Sequence, residues 1–267
     1  MLGAILGDII GSRFEFDRGG KTKDFKLFTD ESCFIDDTVM TIAVGEALLN
    51  SEKLNEDDFK ENLISSMKKW GRKYPNAGYG ARFYWWLKEE NPKPYGSYGN
   101  GSAMRVSSVG WLYPTLEKTL EVARWTAEVS HNHIEGIKGA ECTAAVIYLS
   151  RIGKNKEEIK DYVLKHYDYS LSESLDELRN RHKHVETCMD SLPKALVSFF
   201  EGNSYEDVIR NAVSLGGDTD TLAAIAGAMA ESYYGIPEEL QKDGLKRIPN
   251  DFIEVINKFN KAKINKN

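Results

Sequence analysis

The chain has 267 residues, of which 41% are hydrophobic and 28% charged, enough apolar material for a sizeable core and unlike a disordered chain. Its formal net charge of −6 gives no electrostatic basis for holding nucleic acid or an anionic membrane. Cys33, Cys142 and Cys188 are scattered and lack CxxC or Cys/His spacing, which argues against a disulfide framework or zinc ribbon and reads as buried structural thiols.

Helical periodicity is nearly continuous and strand signals are scarce. The apolar opening, residues 1–11, lacks a basic n-region, contains Asp8 and is too short to span a bilayer, so neither signal peptide nor membrane anchor is expected and a cytoplasmic location follows. Helices are predicted over 2–14, 37–50, 56–74, 81–88, 102–111 and 116–129, then over 134–150, 156–166, 187–200, 205–214, 219–234 and 239–258. Small residues line several apolar faces, as in Gly136 to Ala140 and Ala223 to Ala228, which lets helix axes approach closely in a compact array. The highly charged segment 171–184, with His182 and His184, reads as a solvated excursion, and residues 260–267 as a frayed tail. No break in composition divides the chain, so one domain over 1–267 is expected.

Two acidic clusters stand near opposite ends: Asp36-Asp37-Thr38, and Asp218-Thr219-Asp220-Thr221 behind Gly216-Gly217. Each opens a helix, so each taken alone also reads as a helix cap. Together they offer hard oxygen ligands suited to Mg²⁺ or Mn²⁺, with a carboxylate for each of two ions or one bridging both. Asp218-Thr219-Asp220-Thr221 loosely mimics a phosphatase nucleophile motif, but that motif follows a buried strand near the start of a parallel α/β domain. Glu15, between Phe14 and Phe16, is a carboxylate in an apolar setting, either salt-bridged or tuned for use. The run Gly96-Ser97-Tyr98-Gly99-Asn100-Gly101 leads into a helix start and presents backbone N–H groups that suit phosphate; Arg105 follows, placed to reach an anion or anchor a carboxylate. His131 and His133 have the wrong spacing for two ligands on one helical face, which favours capping or substrate contact over zinc.

In order, Gly3 to Asp8 with Glu15, Asp36-Asp37-Thr38, Gly99 to Arg105, Ser130-His131 with Gly136 to Ala140, and Gly217 to Thr221 resemble the ADP-ribosylglycohydrolase family, over most of the chain. The resemblance implies an all-α orthogonal multi-helix fold with a binuclear Mg²⁺ or Mn²⁺ centre in a central cleft. It implies Asp36, Asp37, Asp218, Asp220 and Thr221 as metal ligands. Gly96, Ser97, Tyr98, Gly99, Asn100 and Gly101 are implied as ADP-ribose contacts, with Tyr98 packing on a sugar or base and His131 near the distal ribose. Glu15 is implied near the metals in gating or catalysis. The expected activity is hydrolysis of the N- or O-glycosidic bond of an ADP-ribosylated protein side chain or small ADP-ribose conjugate, with Asp36 or Glu15 taking the proton. One departure stands out: the threonine implied before Asp36 is Ile35, which has no side-chain oxygen. A water or Thr38 would stand in for it, or one ion binds weakly; the alternative is a weak or inactive ADP-ribose-binding member. Leaving-group recognition is expected in loops 21–29 and 76–79.

Overall fold

The computed structural model describes residues 1–51, 55–181 and 183–264. Among these the first helices are α1 (Leu2–Gly11), α2 (Asp36–Asn50), α3 (Glu56–Lys73), α4 (Ala81–Lys88), α5 (Gly101–Met104), α6 (Val109–Leu112) and α7 (Leu116–Glu128). They are followed by α8 (Ile134–Arg151), α9 (Lys156–His166), α10 (Leu175–Arg181), α11 (Cys188–Glu201) and α12 (Tyr205–Ser214). The last three are α13 (Thr219–Tyr234), α14 (Glu238–Leu245) and α15 (Asn250–Ile264). The fold is all-α, and β-type pairing among the described residues is limited to an antiparallel bridge between Gly99 and Thr187. The strand a phosphatase nucleophile motif requires is therefore missing before Asp218.

Apart from Asp8, helix α1 is apolar all round, and all ten of its residues are buried, as is α13 from Thr219 to Ala230. A helix without a polar face must sit inside the molecule. These two form the central pair, and their separation is set by glycines. A Cβ at Gly3, Gly7 or Gly11 would lie 2.4, 2.1 and 2.4 Å from the carbonyl oxygens of Gly227, Ala223 and Thr219. The i, i+4, i+8 spacing puts the three on one stripe of α1, so its backbone rests on that of α13. Amphipathic helices surround the pair, many capped by local side chains: Asn55 accepts from the Asp58 amide, Ser204 from that of Asp207, and Asn155 with Glu158 forms a capping box.

Several elements differ from the sequence expectation. The first helix ends at Gly11, and Ser12–Asp17 is 3₁₀ with Glu15 and Phe16 out of helical geometry. The segment expected to be a solvated excursion contains α10, with Leu171, Leu175 and Leu178 buried; three leucines outweigh its charge. Pro249 divides the final predicted helix into α14 and α15, which runs to Ile264, so residues 260–264 are helical where a frayed tail was expected. Residues 265–267 of that tail, like His182, lie outside the described residues. Cys142 and Cys188 are buried free thiols, whereas Cys33 is exposed. No described helix is long and apolar enough to cross a membrane.

Candidate functional site

Because α1 lies directly against α13 and runs past the start of α2, the N-termini of α2 and α13 meet at one end of the core. One carboxylate oxygen each from Asp36, Asp37 and Asp220 lie within 4.8 Å of one another, and a second such group comprises Glu15, Asp218 and Asp220. Asp220 belongs to both. Thr221 Oγ1 donates to Asp37 Oδ2 at 3.2 Å, tying the two clusters together. Asp36, Asp218, Asp220, Thr221 and Glu15 face a cavity of about 530 Å³, within the size range of small-molecule sites, while Asp37 is buried behind them.

The arrangement is electrostatically costly without a counter-ion. Burial pushes the Asp36, Asp37 and Asp220 carboxyls well above the carboxylate range, and neighbouring carboxylates push them further: Asp8 and Asp218 on Asp36 and Asp37, Asp218 and Asp37 on Asp220. Asp218 is raised to about 6, again mainly by burial, against a lowering hydrogen bond from Asn100 Nδ2 at 2.6 Å. Asp37 Oδ1 and Asp220 Oδ1 are buried with no hydrogen-bond partner among the described residues. Converging hard oxygens, mutual repulsion and orphaned lone pairs fit a site for divalent cations.

Glu15 reaches this site through an unusual backbone. Phe16 and Asp17 have φ of 58° and 57°, a left-handed conformation uncommon for residues with a Cβ. Phe16 N–H donates to Gly217 O at 2.9 Å, and Gly217 N–H to Asp17 Oδ1 at 2.8 Å. Gly216 and Gly217, at φ of 78° and 73°, make the facing turn. Glu15 is half-buried; burial, then the Asp218 charge, raises its pKa.

Asp8 is the buried group the sequence reasoning did not place in the site. Its Oδ2 accepts from the Ile35 and Thr38 amides, both at 3.0 Å, capping α2 from α1. Its sequence signals are a lone carboxylate in an apolar helix and its place at the end of the Gly3 to Asp8 motif. Burial raises it to about 7, despite those hydrogen bonds. Ile35 is the N-cap residue of α2 and uses only its backbone there. Thr38 lies against Asp8 and, like Asp37, does not line the cavity.

The glycine loop forms another wall, but differently from the expectation of free amides. Gly96 N–H donates to Asn132 Oδ1 (2.7 Å), Gly99 N–H to Ser97 Oγ (3.2 Å) and Asn100 N–H to Glu186 O (2.9 Å). Ser97, Gly99, Asn100 and Gly101 line the cavity. Gly96 and Tyr98 do not; Tyr98 is 47% exposed, with its ring centroid 5.3 Å from that of His133. Arg105 is buried and reaches no carboxylate among the described residues: its Nη2 donates to Thr126 O and to Ser130 Oγ, at 2.7 and 2.9 Å. Ser130 Oγ also lies 2.8 Å from His131 Nδ1. A hydroxyl that accepts from Arg105 can send its own proton to Nδ1, an arrangement that goes with the Nε2–H form of His131. Burial, then the Arg105 charge, holds His131 well below its ordinary pKa, so it is a neutral imidazole on the cavity wall. His133 caps α8, accepting from the Glu135 amide at 3.2 Å. Of the loops expected to see the leaving group, Gly78 lines the cavity and 21–29 does not.

Comparison with known proteins agrees with this architecture. A solved chain described as "ADP-ribosylglycohydrolase-related protein complex" superposes with a TM-score of 0.72 over 98% of this chain and 95% of its own, at 21% identity, a likeness of fold. The chain is 27% identical to human ADP-ribosylhydrolase ARH3 over 319 residues, covering 91% of this chain and 87% of that protein. The Bos taurus counterpart is 26% identical, covering 91% and 86%. ADP-ribosylarginine hydrolase Tri1 of Pseudomonas putida is 25% identical over 280 residues, covering 91% and 72%. The sequence model of the ADP-ribosylglycohydrolase family matches residues 1–265, and the chain belongs to that family.

Proposed function

We propose that this protein hydrolyses the glycosidic bond between ADP-ribose and a protein side chain or small conjugate, releasing ADP-ribose. The observation that carries the reading is the pair of carboxylate groups sharing Asp220, set in a cavity whose other walls are the 97–101 loop and His131. Asp36, Asp37, Asp218, Asp220 and Thr221 would hold two Mg²⁺ or Mn²⁺ ions, with Glu15 beside them. Bound divalent ions supply charge neutralisation and acidify a coordinated water. The protein's own groups do the rest. Asn100 Nδ2 orients Asp218, and Thr221 orients Asp37. His131 donates its Nε2–H to a ribose hydroxyl. Asp36, or Glu15 with its raised pKa, takes the proton from the attacking water. The loop side of the cavity binds the diphosphate and so orients the anomeric carbon.

The test is release of free ADP-ribose from ADP-ribosyl-arginine, ADP-ribosyl-serine and O-acetyl-ADP-ribose with Mg²⁺ or Mn²⁺. Asp36→Asn should lower turnover by roughly 10²–10⁴-fold, the usual contribution of a general base. Full turnover by the Asp218→Asn/Asp220→Asn double variant would sink the metal mechanism. Ile35 favours a second reading, a member that binds ADP-ribose with little turnover. Rescue of turnover by Ile35→Thr would identify a weakened enzyme, and binding without rescue a binding protein.

A further inference from the structure

The cavity is electrically polar along its length. On one side Arg82 donates to Tyr95 O at 2.8 Å with its guanidinium 4.6 Å from the Tyr95 ring centroid, next to Ser97, Arg105 and His131. On the other side the wall is acidic: Glu15 and Glu186 both line it, and Glu186 adds to the charges that raise Glu15. Glu186 belongs to a fixed segment. Its carbonyl accepts from the Asn100 amide at 2.9 Å, Cys188 N–H donates to Tyr98 O at 2.9 Å, and the Gly99–Thr187 bridge lies between. Its side chain is 59% exposed, with one oxygen 2.7 Å from His184 Nε2 and the other unpartnered among the described residues. His184, expected from sequence to be solvent-exposed, is half-buried with its ring centroid 4.7 Å from that of Phe16, which holds the Glu186 carboxylate at the mouth. That corner already accommodates one guanidinium: Arg18 lies 5.4 Å from the Phe16 ring centroid.

A molecule carrying a diphosphate at one end and a cation at the other matches this polarity; one with a neutral leaving group leaves the acidic wall unused. We infer that Glu186, positioned by His184, selects a cationic guanidinium leaving group over a hydroxyl one. The inference rests on the hydrolase reading above and concerns its substrate class. A carboxylate with a free oxygen receives a guanidinium N–H in a charge-assisted hydrogen bond, which a serine-type leaving group cannot match.

The experiment compares kcat/KM for ADP-ribosyl-agmatine and ADP-ribosyl-serine with Mn²⁺, in the wild type and in Glu186→Gln and Glu186→Asp. Support is a wild-type preference for the agmatine conjugate that weakens with added salt, falls at least tenfold in Glu186→Gln and is partly kept in Glu186→Asp. A wild-type preference for the serine conjugate, or an equal loss on both in Glu186→Gln, would overturn the inference while leaving the hydrolase reading intact. Release of ADP-ribose from neither conjugate, nor from O-acetyl-ADP-ribose, defeats the hydrolase reading instead. Calorimetric titration with the same uncleaved conjugates then decides the inference: tighter binding of the agmatine conjugate, lost in Glu186→Gln, supports it, and equal affinities overturn it.

Discussion

Asp8 shows how one buried side chain couples the elements around the site. It is raised to about 7 mainly by burial. A carboxyl whose folded pKa exceeds its unfolded value, near 3.9, contributes stability below that value and loses it as pH rises through the folded one. The metal-free protein should therefore lose stability between about pH 4 and pH 7 through this group. Asp8→Asn keeps an oxygen to accept the Ile35 and Thr38 amides but cannot ionise. In EDTA its Tm should exceed the wild type's by a few degrees at pH 8 and match it at pH 4.5; an equal loss at both pH values would show that the carboxylate is needed for capping.

The glycine stripe on α1 makes its prediction at the scale of elements. A Cβ at Gly7 meets the Ala223 carbonyl oxygen at 2.1 Å, and backbone cannot yield as a flexible side chain can. Gly7→Ala should cost about 3 kcal/mol and, by lifting α1 from α13, weaken Mn²⁺ binding as well. Gly20→Ala, where the nearest atom is the Thr22 methyl at 3.7 Å, serves as the control and should change stability by less than about 0.5 kcal/mol. Chemical denaturation with parallel Mn²⁺ titration measures both effects. Most element positions could be anticipated because helical periodicity and caps are local. The misses have physical causes too: three buried leucines turn the charged 171–184 segment into α10, and Pro249 interrupts what periodicity alone joins.

At the scale of the molecule, we propose that the chain folds as one unit, because α1 and α13, far apart in sequence, form a shared centre. Calorimetry should then show a single transition. Mg²⁺ or Mn²⁺ at about a hundredfold over its Kd should add about 2.7 kcal/mol, or roughly 5–10 °C in Tm, reversible with EDTA. The metal effect should grow from pH 5 to pH 8. Carboxyls raised by burial and mutual repulsion hold protons that a cation must displace, so metal-free stability falls over the interval in which metal affinity rises. Two separated transitions, or a metal shift independent of pH, would contradict this account.

Helix content and the two acidic helix starts were legible in the chain, because they depend on spacing and on chemistry within a few residues. The same is true of the ordered motifs that resemble the family. Pairing Asp36 with Asp220 was different, since residues so distant in sequence meet only when a glycine stripe lets α1 lie on α13. Tertiary structure also put Asp8 beneath α2, turned Thr38 away from the cavity, engaged the amides of Gly96, Gly99 and Asn100, and brought His184 and Glu186 to the mouth. Each of these depends on which chain segments pack together, and a carboxylate's charge, partners and use are set by whatever surrounds it once water has been excluded.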